Sequence, residues 1–148
     1  MTAALLLAVA FCVGAAITLQ VGANTRLKEA FGEAMPAVIV SSVLGVVVLA
    51  VATAASRTPW PSAARLAGAP WWAWVGGLLG AIYAVATVLL ARRLGAATLT
   101  AVVVTGQLIC SVVLDHFGAL GFTEHALSAG RVAGCLLMIV GFVLIARF

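Results

Sequence analysis

Apolar residues fill five long runs of this chain, at about 3–23, 36–55, 71–91, 96–115 and 131–146, and polar residues crowd into the gaps between them. Each run approaches the roughly 20 residues that carry a helix across a hydrocarbon core about 30 Å thick. A helix is the element such runs predict, because lipid offers no partner to backbone groups left unbonded within their own segment. The first run lacks the basic start of a secretory signal and is long for a signal's apolar core, so a retained helix is expected. The second opens on Pro36, which suits a first helical turn. The pattern predicts an all-α polytopic membrane protein, with five transmembrane helices in one domain, 1–148.

The gaps have their own patterns. Segment 24–35, NTRLKEAFGEAM, sets Leu27 and Phe31 one turn apart among Arg26, Lys28, Glu29 and Glu33. That spacing predicts a short helix lying in the interface, with the charges forming a solvated face. Segment 57–70 holds Pro59, Pro61 and Pro70 with two arginines, and predicts a loop. Trp71, Trp72 and Trp74 then open the third run, as aromatic residues do at a membrane–water boundary. Arg92-Arg93-Leu94-Gly95 predicts a tight basic turn, and 117–130 a loop with Glu124.

Polar residues inside the apolar runs are the candidates for function. The stretch 95–118, GAATLTAVVVTGQLICSVVLDHFG, is the richest in them. Gln107, Ser111 and Asp115 fall at i, i+4 and i+8, which draws one stripe along a helix. Such a stripe should face protein or a watered cavity, because unsatisfied polar groups are costly in hydrocarbon. Gln107 lies about 17 Å into the core by the helical rise, near mid-membrane, and Asp115 about 12 Å further, near the far interface. Gln20 and Asn24 share a face near the end of the first run, and Tyr83 sits near the middle of the third. Gly76 and Gly80, and then Gly130, Gly134 and Gly141, are spaced for close helix contact, within a bundle or between chains.

Composition agrees with a membrane protein and narrows the chemistry. The chain is 65% hydrophobic and 8% charged, with a mean hydropathy of +1.25. A soluble domain is typically about a quarter charged. Cys12, Cys110 and Cys135 all fall within spans and read as small buried hydrophobes. No metal-ligand spacing, nucleophile–base pair or phosphate loop is present, so no metal, no cofactor and no enzyme activity is expected. The net charge of +4 comes from loop residues flanking spans, so no nucleic-acid partner is inferred.

Five spans put the termini on opposite sides. The N-terminal side carries Arg57, Arg65 and Arg131; the other carries Arg26, Lys28, Arg92, Arg93 and Arg147. The balance favours the second side as cytoplasmic. It is slight enough to predict insertion in both orientations and an antiparallel homodimer. Such a pair has a two-fold axis in the membrane plane, the symmetry that inverted repeats use for alternating access.

The segments 70–83 (PWWAWVGGLLGAIY), 94–108 (LGAATLTAVVVTGQL) and 114–121 (LDHFGALG), with Arg131 and Gly134 following, carry a resemblance. Over nearly its whole length the chain resembles the YdcZ-like family, small five-span proteins of the drug/metabolite transporter superfamily. The family's early Q…N…L pattern is similar to Gln20, Asn24 and Leu27. The chain departs from it at Ala34-Met35-Pro36 and at Arg92-Arg93. The resemblance implies a small-molecule exporter of the bacterial inner membrane, in a family of single chains, paired chains and ten-span fusions. The partner it implies is therefore a second copy or a paired homologous chain.

The reading that follows is a secondary transporter of a small neutral or zwitterionic polar solute, working by alternating access. Gln107 and Ser111 bind at mid-membrane with Tyr83, Gln20 and Asn24 line one vestibule, and Asp115 lines the other. A passive channel and a non-transporting scaffold subunit are the alternatives.

Overall fold

The computed structural model describes residues 2–148, and among them every regular element is a helix. The long helices are α1 (Ala3–Phe31), α2 (Ala34–Ala55), α4 (Val75–Leu94), α5 (Ala96–Phe117) and α6 (Ala129–Arg147), with a short α3 (Ala63–Ala67) inside the second gap. The tryptophans of Trp71–Trp74 form a single 3-10 turn leading into α4. All five long helices are long and apolar enough to cross a membrane.

The first helix differs from its sequence expectation. It runs without a break through Asn24 and the charged segment to Phe31, rather than ending and giving way to a separate interfacial helix. Leu27, Lys28, Glu29 and Ala30 are good helix formers, and nothing before Gly32 stops propagation. Gly32 does, at φ 83°, a left-handed conformation that glycine adopts without strain.

The chain divides into two compact units, Met1–Arg92 and Arg93–Phe148. In the first, α1 packs against α2, and Ala34 and Val38 of α2 meet Val88, Ala84 and Val85 of α4. Ala37 and Val88 are sealed completely. In the second, α5 packs along α6, with Thr105 buried and its hydroxyl 2.7 Å from the Ala101 carbonyl and 3.5 Å from that of Met138.

Little else is buried. Phe11, Leu19 and Leu49 stand 80%, 75% and 68% exposed, an apolar surface that water would not tolerate on this scale but lipid accepts. Several hydroxyls within the helices, exposed and buried alike, are dealt with locally. Thr18, Thr25, Thr53, Thr87 and Thr105 each bond a carbonyl four residues back on their own helix.

Because Val88 is fully buried where α2 meets α4, Val88→Phe is expected to cost about 1–3 kcal/mol of stability through overpacking. Thermal unfolding in detergent checks this: the midpoint should fall clearly, whereas Phe11→Ala, on the lipid-facing surface, should leave it nearly unchanged.

Candidate functional site: polar faces of α1 and α5

Threonine and serine can return their hydroxyl to the backbone of their own helix; glutamine and asparagine carry both donors and acceptors and cannot be satisfied that way. The amides inside the spans therefore mark where a partner is needed. Thr105 points α5 toward α6. Gln107, two residues on, lies about 200° round the helix and so faces away from α6. It is exposed and makes no side-chain hydrogen bond among the described residues, and the same holds for Ser111 one turn later.

Asp115 does not continue this open face. It is half-buried, and its Oδ2 lies 3.3 Å from Nη1 of Arg131 at the start of α6 and 4.0 Å from Nδ1 of His125. The loop between the helices is folded onto the same point. The His125 N–H donates to the Asp115 carbonyl at 2.8 Å, Arg131 donates to the His125 carbonyl at 3.3 Å, and the Leu127 N–H donates to Nδ1 of His116 at 3.2 Å. Asp115 thus ties the α5–α6 hairpin at its end, a role the stripe alone did not reveal. The signal was an acid closing one span and an arginine opening the next.

On α1, Gln20 is exposed while Asn24 is 5% exposed. The Asn24 side chain makes no hydrogen bond among the described residues, yet no sealed-off side-chain atom lacks a partner. Its carboxamide is therefore still open to its surroundings. Beyond it, Glu29 accepts from Arg26 at 2.8 Å and from Arg92 of α4 at 2.7 Å, so part of the expected solvated face instead joins α1 to α4. Tyr83 is half-buried on α4, and its carbonyl receives the Thr87 hydroxyl.

Around Gly76, Gly80, Gly134 and Gly141 nothing in their own units comes within 4 Å of where a side chain would begin, and at Gly130 only the Ser128 hydroxyl does. An apolar groove of about 800 Å³ runs between α2 and α4, lined by Met35, Ile39, Val43, Ile82 and Val85 with Ser42 as its polar member. It suits hydrocarbon, not a polar solute. The described residues hold no cluster of His, Cys, Asp and Glu fit for a metal.

A family model described as "Putative inner membrane exporter, YdcZ" matches residues 5–144. The chain belongs to this family. It is 29% identical over 147 residues to the inner membrane protein YdcZ of Escherichia coli strain K12, covering 99% of this chain and 98% of that one. No solved structure matches. With five apolar helices and this kinship, the chain is a multi-pass protein of the inner membrane, in a family whose description is that of a membrane exporter and not of an enzyme.

In this YdcZ-family chain the Asp115–Arg131 pair should be the clasp of the second hairpin. Asp115→Ala is expected to raise hydrogen exchange throughout 118–128 while α5 and α6 stay protected. Unchanged exchange in that loop would remove the clasp role.

Proposed function

We propose that this protein moves a small neutral or zwitterionic polar solute across the inner membrane by alternating access, as an antiparallel homodimer. The observation that carries this reading is Gln107: an amide near mid-membrane, exposed, turned away from α6 and without a hydrogen-bond partner among the described residues. Left against lipid it would cost several kcal/mol. Across a watered path it is instead a ready donor and acceptor, and Ser111 extends the same face. Tyr83 supplies a hydroxyl from α4, and Gln20 and Asn24 continue the polar lining toward one mouth. Asp115, clasped to Arg131, stands at the other.

Amides and hydroxyls recognise a solute without burying an unpaired charge, which favours a net-neutral cargo over a lone cation. Kinship with exporters supports the transport reading. The uncovered glycines of α4 and α6 are suited to close contact with a second chain, and a pair of five-helix chains offers a larger cavity than one.

The test is transport current on a solid-supported membrane bearing proteoliposomes, backed by radiolabel counterflow, over amino acids, sugars, organic acids and cations. Gln107→Leu is expected to cut saturable transport at least about tenfold, about 1.4 kcal/mol or more of lost interaction, with expression and dimerisation intact. Retained transport would remove Gln107 from the path. Flux without counterflow would indicate a channel, and silence in both assays a scaffold.

A further inference from the structure

The apolar groove between α2 and α4 has no part in the solute path, and both of its walls can be placed against the bilayer. It begins at Met35 and Leu89 and ends at Val47 and Ala81. The two beginnings lie side by side, because Ala34 and Val38 of α2 pack on Val88 of α4. On α2, the helical rise puts Val47 about 17 Å past Pro36, where the apolar run starts. On α4, it puts Ala81 about 15 Å back from Ala91, where the run ends. The hydrocarbon core is roughly 30 Å thick, so both walls reach from one membrane surface to about its middle and stop there.

That depth selects the occupant. A transmembrane helix from a second copy would need a groove that continues across the whole core. An acyl chain needs the depth of one leaflet. The lining is apolar apart from Ser42, and Met35, Val43 and Ile82 are exposed, so the groove is open sideways to lipid tails.

The mouth of the groove is charged. α4 is one helix as far as Leu94, and Ala81, Ile82, Val85, Ala86 and Leu89 mark its groove face. At about 100° per residue, Arg92 and Arg93 straddle the centre line of that face, each about 50° from it and one turn beyond Leu89. Arg92 donates through Nε and Nη2 to Oε1 of Glu29 and stays exposed. Arg93 is exposed and makes no side-chain hydrogen bond or ion pair among the described residues. Arg26 and Lys28 close the same end of α1, against only Glu29 and Glu33, and Glu29 is already shared by Arg26 and Arg92. The balance there is positive.

We propose that this groove is a binding site for an anionic phospholipid. One acyl chain lies between α2 and α4, and the headgroup phosphate sits against Arg93 and Arg92. The planar fork of guanidinium N–H donors matches phosphate oxygens, and basic pockets between membrane helices hold anionic headgroups in this way. The bound chain fills the space that protein leaves open between the two helices, so the packing of the first unit depends on the lipid around it.

The experiment is native mass spectrometry of the full chain in mild detergent, titrated with dioleoyl phosphatidylglycerol or dioleoyl phosphatidylcholine. One phosphatidylglycerol per chain should be retained, about fivefold more tightly than phosphatidylcholine, which is the worth of one cation beside an anionic lipid. Arg93→Gln should remove that preference, and Arg93→Lys should keep most of it. Val43→Trp, which fills the groove, should weaken the retention of phosphatidylglycerol by a similar factor. Arg65→Gln, in the 57–70 gap, should change nothing. Circular dichroism checks that each variant is folded, and Ile82→Phe obstructs the groove from the other wall if Val43→Trp is not.

Equal retention of the two lipids overturns the site. So does phosphatidylglycerol binding that is unmoved by Arg93→Gln or by filling the groove. A groove-filled chain that loses a dimer mass while keeping its lipid also overturns it, and gives the groove to a second copy.

Discussion

The bilayer interior cannot hydrogen-bond, and the rest of this structure follows from that constraint. Backbone groups meet it by forming unbroken helices. Five threonines meet it by bonding a carbonyl one turn back on their own helix, and charged groups meet it by pairing at helix ends: Glu29 with Arg26 and Arg92, Asp115 with Arg131. Left without a side-chain hydrogen bond among the described residues of the long helices are the amides Gln20, Asn24 and Gln107, with the hydroxyls of Ser41, Ser42, Tyr83, Thr98, Thr100 and Ser111. The amides are the informative ones, because a hydroxyl can turn back to its own helix and an amide cannot be satisfied that way.

Packing within the units explains why the exceptions are available. The sealed contacts are few and made by small residues, with Ala34, Val38 and Val88 in the first unit and Thr105 against α6 in the second. Each long helix therefore spends only a narrow strip on its neighbours. On α5 that strip is the Thr105 side, which leaves the Gln107 side for something else. Lipid is a poor candidate for it, and a solute path shared with a second chain is a good one. The family's description as an inner-membrane exporter agrees with a solute path.

Much of the architecture was legible in the sequence, because a run of about 20 apolar residues has one dominant physical outcome. The five spans were visible to within a few residues, except that α1 continues to Phe31. There the charges of 24–31 looked like the end of a span, whereas helix propensity carried the helix out of the membrane. The intramembrane polar positions were equally visible as residue types. Their partners were not. Arg92 lies 63 residues from Glu29, and no local pattern joins them. Asp115 appeared as the third member of a stripe, while Arg131, which holds it, opened a different span. Spacing along one helix tells which residues share a face; it does not tell which of them a neighbouring helix has already claimed.

The claim on which the account stands is that the Gln107–Ser111 face of α5 meets water inside the membrane. Only a thiolate reacts readily with a thiol reagent, and a thiolate does not form in hydrocarbon. Single cysteines placed across α5 in a cysteine-free chain, in native membranes, therefore report the environment directly. The account predicts that Gln107→Cys and Ser111→Cys react with a small polar thiol reagent while Val102→Cys, Ile109→Cys and Val113→Cys do not. If positions 107 and 111 proved as inert as the other three, the polar face would be dry interhelical glue and the solute path would not run there.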